Sequence, residues 1–315
     1  MSPDHSLKGV LFAFAAFAAF SFSDASVKLI DGVLSPYESA FFGAVFGLLA
    51  LPLLMKKGDR WSDMFRSSNR PLWMLRFFAA AGGAIGSVTA FTHLSMAEAF
   101  ALIFLLPSFV TIMSVIFLKE KVGIRRWAAV LVGFAGVLVV LRPGFRELSI
   151  GHLGAIVGGI TGAVSIIIFR AMGPQEKNIS LYGAGVLGWM TISGLLTISH
   201  FVPPGGVQWV YLAGFGLLAA AGNVLLMYAA NHAPAALIGP IQYSQMLWAI
   251  LLGYLVFGDS IDMPTWIGIV LIVGSGLLTL IRERQRGTPL PPPVAAADSQ
   301  AAVAVTPEDG KMLRD

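Results

Sequence analysis

Ten runs of 18 to 24 residues, each long and apolar enough to cross a bilayer, follow one another with only short polar breaks between them. They are residues 9–30, 36–55, 72–94, 97–118, 125–142, 151–171, 180–202, 208–231, 234–257 and 264–281. A spanning helix needs about 20 apolar residues, because the hydrocarbon core is about 30 Å thick and a helix rises about 1.5 Å per residue. No water is available in that core, so every backbone amide must be bonded within its own segment, and continuous apolar runs dictate helices. A membrane β-barrel would instead alternate apolar and polar residues at period two. Composition agrees: of 315 residues 56% are hydrophobic and only 12% charged, where a soluble domain carries about 25% charged. A soluble globular enzyme and a disordered chain are both excluded. The expected fold class is an all-α membrane protein with ten transmembrane helices.

The net charge of +4 has a topological explanation. With the N-terminus on the cytoplasmic side, that side holds Lys8, then Lys56, Lys57, Arg60, Arg66 and Arg70. Lys119, Lys121, Arg125 and Arg126 follow, then Arg170 and Lys177, then Arg282, Arg284 and Arg286. The other side holds Arg142 and Arg146, so the balance is fifteen against two. Such a bias marks the cytoplasmic face and places both termini there. The basic residues therefore imply no nucleic-acid partner. Residues 1–8 read as a cytoplasmic N-terminus, and 9–30 as the first span, too long for a signal-peptide core. Residues 282–315, rich in proline and alanine, read as a disordered cytoplasmic tail. Arg76 reads as an interfacial anchor at a helix end.

The chain also repeats itself. Glu120, after Phe117-Leu118-Lys119, precedes Trp127 by seven residues, and Asp259, after Phe257-Gly258, precedes Trp266 by seven. The offset between the two copies is 139 residues. Upstream, Ala97-Glu98-Ala99 through Pro107 matches Pro234-Ala235-Ala236 through Ser244, with Pro240 inside, at an offset of 137. Each copy holds five spans, 9–142 and 151–281. An odd number of spans inserts the second copy upside down relative to the first. Inverted repeats are the common construction of secondary transporters, because two antiparallel copies of one bundle supply two near-equal conformations.

The Phe-Leu-x-Glu of 117–120 with Trp127, and Ile241-Gln242-Tyr243-Ser244-Gln245 through Phe257-Gly258-Asp259 to Trp266, resemble the bacterial EamA-type members of the drug/metabolite transporter superfamily. The likeness covers about residues 8–284, and Asp259 departs from the glutamate more usual there. The resemblance implies two EamA-type repeats, with the first four helices of each around a central cavity and the fifth and tenth more peripheral. It also implies a multi-pass protein of the bacterial inner membrane whose partners are a small-molecule solute and the lipid bilayer. A homodimer is left open. Similar proteins carry riboflavin, S-adenosylmethionine, amino acids and other metabolites, in either direction.

Ionisable groups inside a bilayer are costly and mark candidate sites. Asp24 and Lys28, four apart on the first helix, share a face and can pair. Glu38, His93 and Glu98 fall at the same, non-cytoplasmic level. This is either a vestibule that attracts solute or carries a proton, with Asp24 and Glu98 the carriers, or a set of interfacial residues with Lys28 snorkelling to water. At mid-depth the polarity is uncharged. Gln242, Tyr243 and Gln245 follow Gly239-Pro240, and Asn223 lies at similar depth. Their partners are a solute, water or neighbouring helices. Trp189 is a deep stacking candidate. The expected substrate-binding set is thus Asp24, Lys28, Trp189, Asn223, Gln242, Tyr243 and Gln245.

No Walker A motif binds ATP, no His/Asp/Glu cluster has metal-ligand spacing, and cysteine is absent. No cofactor, metal or catalytic residue is expected, and a membrane-embedded enzyme lacks a nucleophile–base pair. A scaffold or receptor would carry longer loops. A phosphate ester would call for clustered Arg or Lys at mid-depth. The uncharged, aromatic middle suits a flat solute bearing amides and hydroxyls. Import of a riboflavin-like vitamin is the first expectation, and S-adenosylmethionine uptake or metabolite export the second.

Overall fold

The computed structural model describes residues 3–285 except 31, 51, 53–54, 56–57, 120–122, 143–146, 173–175, 200, 234–237 and 239–240. Among the described residues there is no strand. The helices are α1 (Pro3–Lys28), α2 (Pro36–Gly47), α3 (Arg70–His93), α4 (Met96–Ile103), α5 (Leu106–Phe117), α6 (Ile124–Leu141), α7 (Ile150–Met172), α8 (Asn178–Thr197), α9 (Gly206–His232), α10 (Ser244–Phe257) and α11 (Met263–Gln285). Short 3₁₀ turns cover Leu48–Ala50 and Trp61–Phe65.

The departures from the expected spans have local causes. The second span ends as a helix at Gly47 and tightens into the 3₁₀ turn. In an uninterrupted helix Pro52 could not donate to the Leu48 carbonyl, four residues back, and its ring would collide with it. The fourth span is two helices, α4 and α5, because Pro107 in the first turn of α5 interrupts the ladder. Bonds from Leu105 N–H to the Leu102 carbonyl at 3.1 Å, and from Ser108 N–H to the Leu105 carbonyl at 2.9 Å, narrow the chain there. The helix α1 begins at Pro3, inside the expected terminus, and α11 runs to Gln285, into the expected tail. Glu120, Gly239-Pro240 and residues 286–315 lie outside the described residues.

The two halves are inverted. Lys28 at the end of α1, Leu94 after α3, Glu98 near the start of α4 and His152 near the start of α7 meet on one face. The second half thus begins where the first span ends. Packing follows the same symmetry: α1 lies on α9 and α7 on α3, while α2 pairs with α8, α4 with α10, and α6 with α11. Exchanging first span for sixth, second for seventh and so on maps this set onto itself. The backbone repeats too. Lys119 has φ +54° and Gly258, 139 positions later, has φ +65°.

Glycines let the halves touch backbone to backbone. A Cβ on Gly86 would lie 2.6 Å from the Gly154 carbonyl oxygen, and one on Gly154 would lie 2.7 Å from that of Gly86. Arg76, expected as an interfacial anchor, is buried against protein, 2% exposed. Its Nε donates to the Leu181 carbonyl at 2.7 Å and Nη1 to that of Ser165 at 3.2 Å. The guanidinium is more weakly hydrated than an ammonium and can spend its donors on carbonyls.

On the face where α1 begins, the turn after α2 is clasped to the segment before α8. Lys177 Nζ donates to Asp63 Oδ2 at 2.6 Å, and Glu176 Oε2 accepts from Ser67 Oγ at 3.0 Å and Ser68 N–H at 2.9 Å. The hydrogen bond from Lys177, followed by that from the Arg60 amide, holds the Asp63 carboxyl below the usual carboxylate range. A depressed folded-state value means that its contribution is full above the unfolded value of about 3.9 and is lost as pH falls through the folded one. Thermal midpoints of the purified protein are therefore expected to fall more steeply below about pH 4 for wild type than for Asp63→Asn; parallel curves would contradict this. Gly86→Ala is expected to destabilise by about 1–3 kcal/mol in thermal unfolding, because backbone must move. Gly274→Ala, with nothing within 4 Å of its Cβ, is expected to be neutral or stabilising by up to about 1 kcal/mol.

Candidate functional site

Where α1, α3, α4, α8, α9 and α10 meet, the bundle leaves a cavity with about 600 Å³ of atom-free space, part of it open to solvent. Each helix contributes a single stripe. These are Phe20, Ser23 and Asp24 from α1, Ala84, Ser87, Val88 and Phe91 from α3, and Phe100, Ile103 and Phe104 from α4 and its break. Trp189 comes from α8, Phe215 and Ala219 from α9, and Gln245 from α10. Spacings of three and four residues put each stripe on one helix face. The stripes run from mid-depth toward the face where α1 ends. The helices α6 and α11 contribute none of these residues and pack on one another.

The walls are aromatic. Phe91 and Phe100 have ring centroids 5.0 Å apart, Phe100 and Phe104 5.9 Å, and Phe104 and Tyr243 5.3 Å. The last pair joins the break in the fourth span to its counterpart in the ninth, 139 positions on. Tyr243 stands against α11, where a Cβ on Gly276 would lie 1.7 Å from its hydroxyl. On the other side Trp189 and Phe215 meet edge to face at 6.1 Å. Ser23 Oγ donates to the Phe215 carbonyl at 2.6 Å and ties α1 to α9.

Asp24, Trp189 and Gln245 thus share one cavity. Asn223 stands one turn beyond Ala219, to whose carbonyl its amide donates at 3.0 Å. Gln242 and Tyr243 are 3% and 6% exposed and sit in the turn before α10. Asn223, Gln242 and Tyr243 are not among the lining residues, although the Tyr243 ring packs on that of Phe104 in the wall. Lys28 belongs to the rim. Its Nζ donates to the Leu94 carbonyl at 2.5 Å, lies 3.9 Å from Asp259 Oδ2 and sits over the Phe257 ring at 5.1 Å. Asp259 in turn accepts from the Met96 amide at 3.1 Å.

Glu98 sits beside this rim, in contact with the second half. Its Oε1 lies 3.1 Å from His152 Nε2, with both side chains 4% exposed. The Ser149 amide donates to His152 Nδ1 at 2.9 Å, so Nδ1 is an acceptor and the ring proton belongs on Nε2, aimed at the carboxylate. Glu38 also crosses between the halves: its Oε2 accepts from the Val202 amide at 3.3 Å. Both glutamates follow a capping serine by three residues, Ser35 and Ser95, each accepting from the glutamate's own amide. His93 Nδ1 stays on its own helix, against the Thr89 carbonyl at 3.0 Å.

Sequence reasoning did not single out Ser87, His152 or the phenylalanines of α3, α4 and α9. The i, i+4 pair Phe100 and Phe104, in α4 and at its C-terminal cap, carried a readable signal. Ser87, inside a run of small residues, carried none. Among the described residues no group of His, Asp and Glu could hold a metal ion.

A solved crystal structure shares this fold with a TM-score of 0.58 at 17% identity, over 91% of this chain and 100% of that one. The chain is 26% identical over 274 residues to a riboflavin transporter of Vibrio cholerae, covering 85% of this chain and 91% of that protein. It is 23% identical over 283 residues to an S-adenosylmethionine uptake transporter of Rickettsia felis, covering 89% and 94%. The model of the EamA-like transporter family matches it twice, at residues 7–142 and 148–281. With one match to each of its two inverted halves, the chain belongs to the EamA-like transporter family, within the drug/metabolite transporter superfamily.

Proposed function

We propose that this membrane transporter is a secondary carrier of the bacterial inner membrane, with both termini cytoplasmic, and that it imports a flat, riboflavin-like vitamin. The observation that carries the reading is the cavity itself: aromatic walls from Phe91, Phe100, Phe104, Trp189 and Phe215 around a few polar groups, with no Lys or Arg among the lining residues. Apolar walls with a small number of placed polar groups are the usual make-up of a site for an organic solute. Asp24, Trp189 and Gln245 contact the solute; Asn223, Gln242 and Tyr243 support the wall, and Lys28 guards the rim. A relative named a riboflavin transporter supports the vitamin. A second reading rests on Asp24: a carboxylate in the wall suits a solute with a cationic centre, and a relative is named an S-adenosylmethionine uptake transporter.

Energy for accumulation comes from the proton gradient, through Asp24 in the cavity and Glu98 between the halves. A carboxylate buried between the halves and hydrogen-bonded to a histidine, as Glu98 is to His152, is a place where one proton changes the balance between two packings.

Expression of the gene is expected to rescue a riboflavin auxotroph on trace vitamin. Failure of a well-expressed protein to rescue, with S-adenosylmethionine taken up instead, would favour the second reading. In vesicles, a protonophore is expected to abolish accumulation against a gradient while leaving downhill flux; undiminished accumulation would remove the proton coupling. Glu98→Gln is expected to keep solute exchange and lose accumulation by roughly tenfold or more. Equal loss of both would make Glu98 merely structural.

A further inference from the structure

The polar groups that line the cavity come mainly from two pairs of packed helices. Asp24 and Gln245 come from α1 and α10, which pack on one another, and Ser87 and Trp189 from α3 and α8, which also pack on one another. Asp24 as a carboxylate only accepts hydrogen bonds, and Gln245 does both. Trp189 Nε1–H only donates, and the Ser87 hydroxyl can donate.

The α3–α8 pair has a further property. Trp189 is 3% exposed and Ser87 8%. Neither Trp189 Nε1 nor Ser87 Oγ has a hydrogen-bond partner among the described residues. Two other hydroxyls on α3 take the carbonyl four residues back: Thr89 bonds the Ile85 carbonyl at 2.7 Å, and Thr92 that of Val88 at 2.9 Å. Ser87 does not. Buried polar groups are nearly always satisfied, because an orphaned donor loses its bonds to water without replacement. Two orphans in the wall of one cavity are groups waiting for a partner that the cavity admits.

We propose that Trp189 Nε1–H and Ser87 Oγ form the acceptor-reading end of the solute site, opposed by Asp24 at the donor-reading end. The solute is then a flat heteroaromatic with a ring carbonyl or ring nitrogen on one edge and N–H, O–H or a cationic centre on another, sandwiched by the phenylalanines between the ends. This rests on the cavity being the solute site and deepens that reading. It excludes flat solutes without an acceptor edge, because they would leave Trp189 unpaired. A site built to hydrogen-bond its ligand rejects analogues that lack the complementary atom.

The test is equilibrium binding of riboflavin, lumichrome and S-adenosylmethionine to the purified protein, with thermal midpoints and proteoliposome uptake of the same probes. Wild type is expected to bind at least one probe. Trp189→Phe keeps an aromatic ring and deletes the N–H, so it is expected to weaken that binding by about tenfold or more while leaving the thermal midpoint unchanged or higher. Ser87→Ala is expected to act in the same direction. Binding by Trp189→Phe within twofold of wild type, with a lowered midpoint, would make Trp189 a packing residue and overturn the proposal. So would the absence of binding by all three probes. Uptake with undiminished affinity in Trp189→Phe sinks this inference and leaves the carrier reading standing. Binding that Trp189→Phe and Ser87→Ala weaken, without uptake by wild type, does the reverse.

Discussion

The structure depends on backbone meeting backbone between its two halves. Gly86 and Gly154 bring α3 onto α7, and Gly136 and Gly268 do the same for α6 and α11, where added Cβ atoms would lie 3.0 Å and 2.8 Å from the facing carbonyls. Lipid tails are as apolar as leucine, so burial of large side chains gives little drive for helices to associate within a bilayer. Close surfaces, with many weak contacts, supply it instead. The contact of α3 with α7 fixes the first half against the second. Everything in the cavity then follows from which helix faces are left over.

What is left over is set by interruption. Pro107 splits the fourth span, and the turns before α10 form the corresponding break in the ninth, where the Gln245 amide bonds the Gln242 carbonyl at 3.0 Å. The two breaks face each other through Phe104 and Tyr243. Unbroken helices at those positions would carry their side chains on around the axis. Narrowed turns redirect them, and the space beside them is the cavity. Its rim is held by polar contacts that cross between the halves. Lys28 reaches Asp259, and Glu98 reaches His152, each from the first half to the second.

Much of this was legible in the sequence because it depends on length and parity. Span number comes from apolar runs, and inversion from five being odd. The caps at Ser35 and Ser95 were found only in the structure. Rotation about a helix axis was not legible in the sequence. It decides that Arg76 points inward to Leu181 and Ser165, and that Ser87 is among the residues lining the cavity while Asn223 and Tyr243 are not. A serine among glycines reads as packing, and the contact that singles it out lies on another helix. His152 was missed for the same reason: its partner Glu98 is 54 residues away.

The shared left-handed residue before each acidic marker, Lys119 in one copy and Gly258 in the other, bears on descent. Glycine adopts that conformation freely, whereas a side chain there costs about 1 kcal/mol or more. The two copies have parted in residue type yet kept the backbone bend. A substitution of Lys119 by glycine would therefore relieve backbone strain without altering the bend.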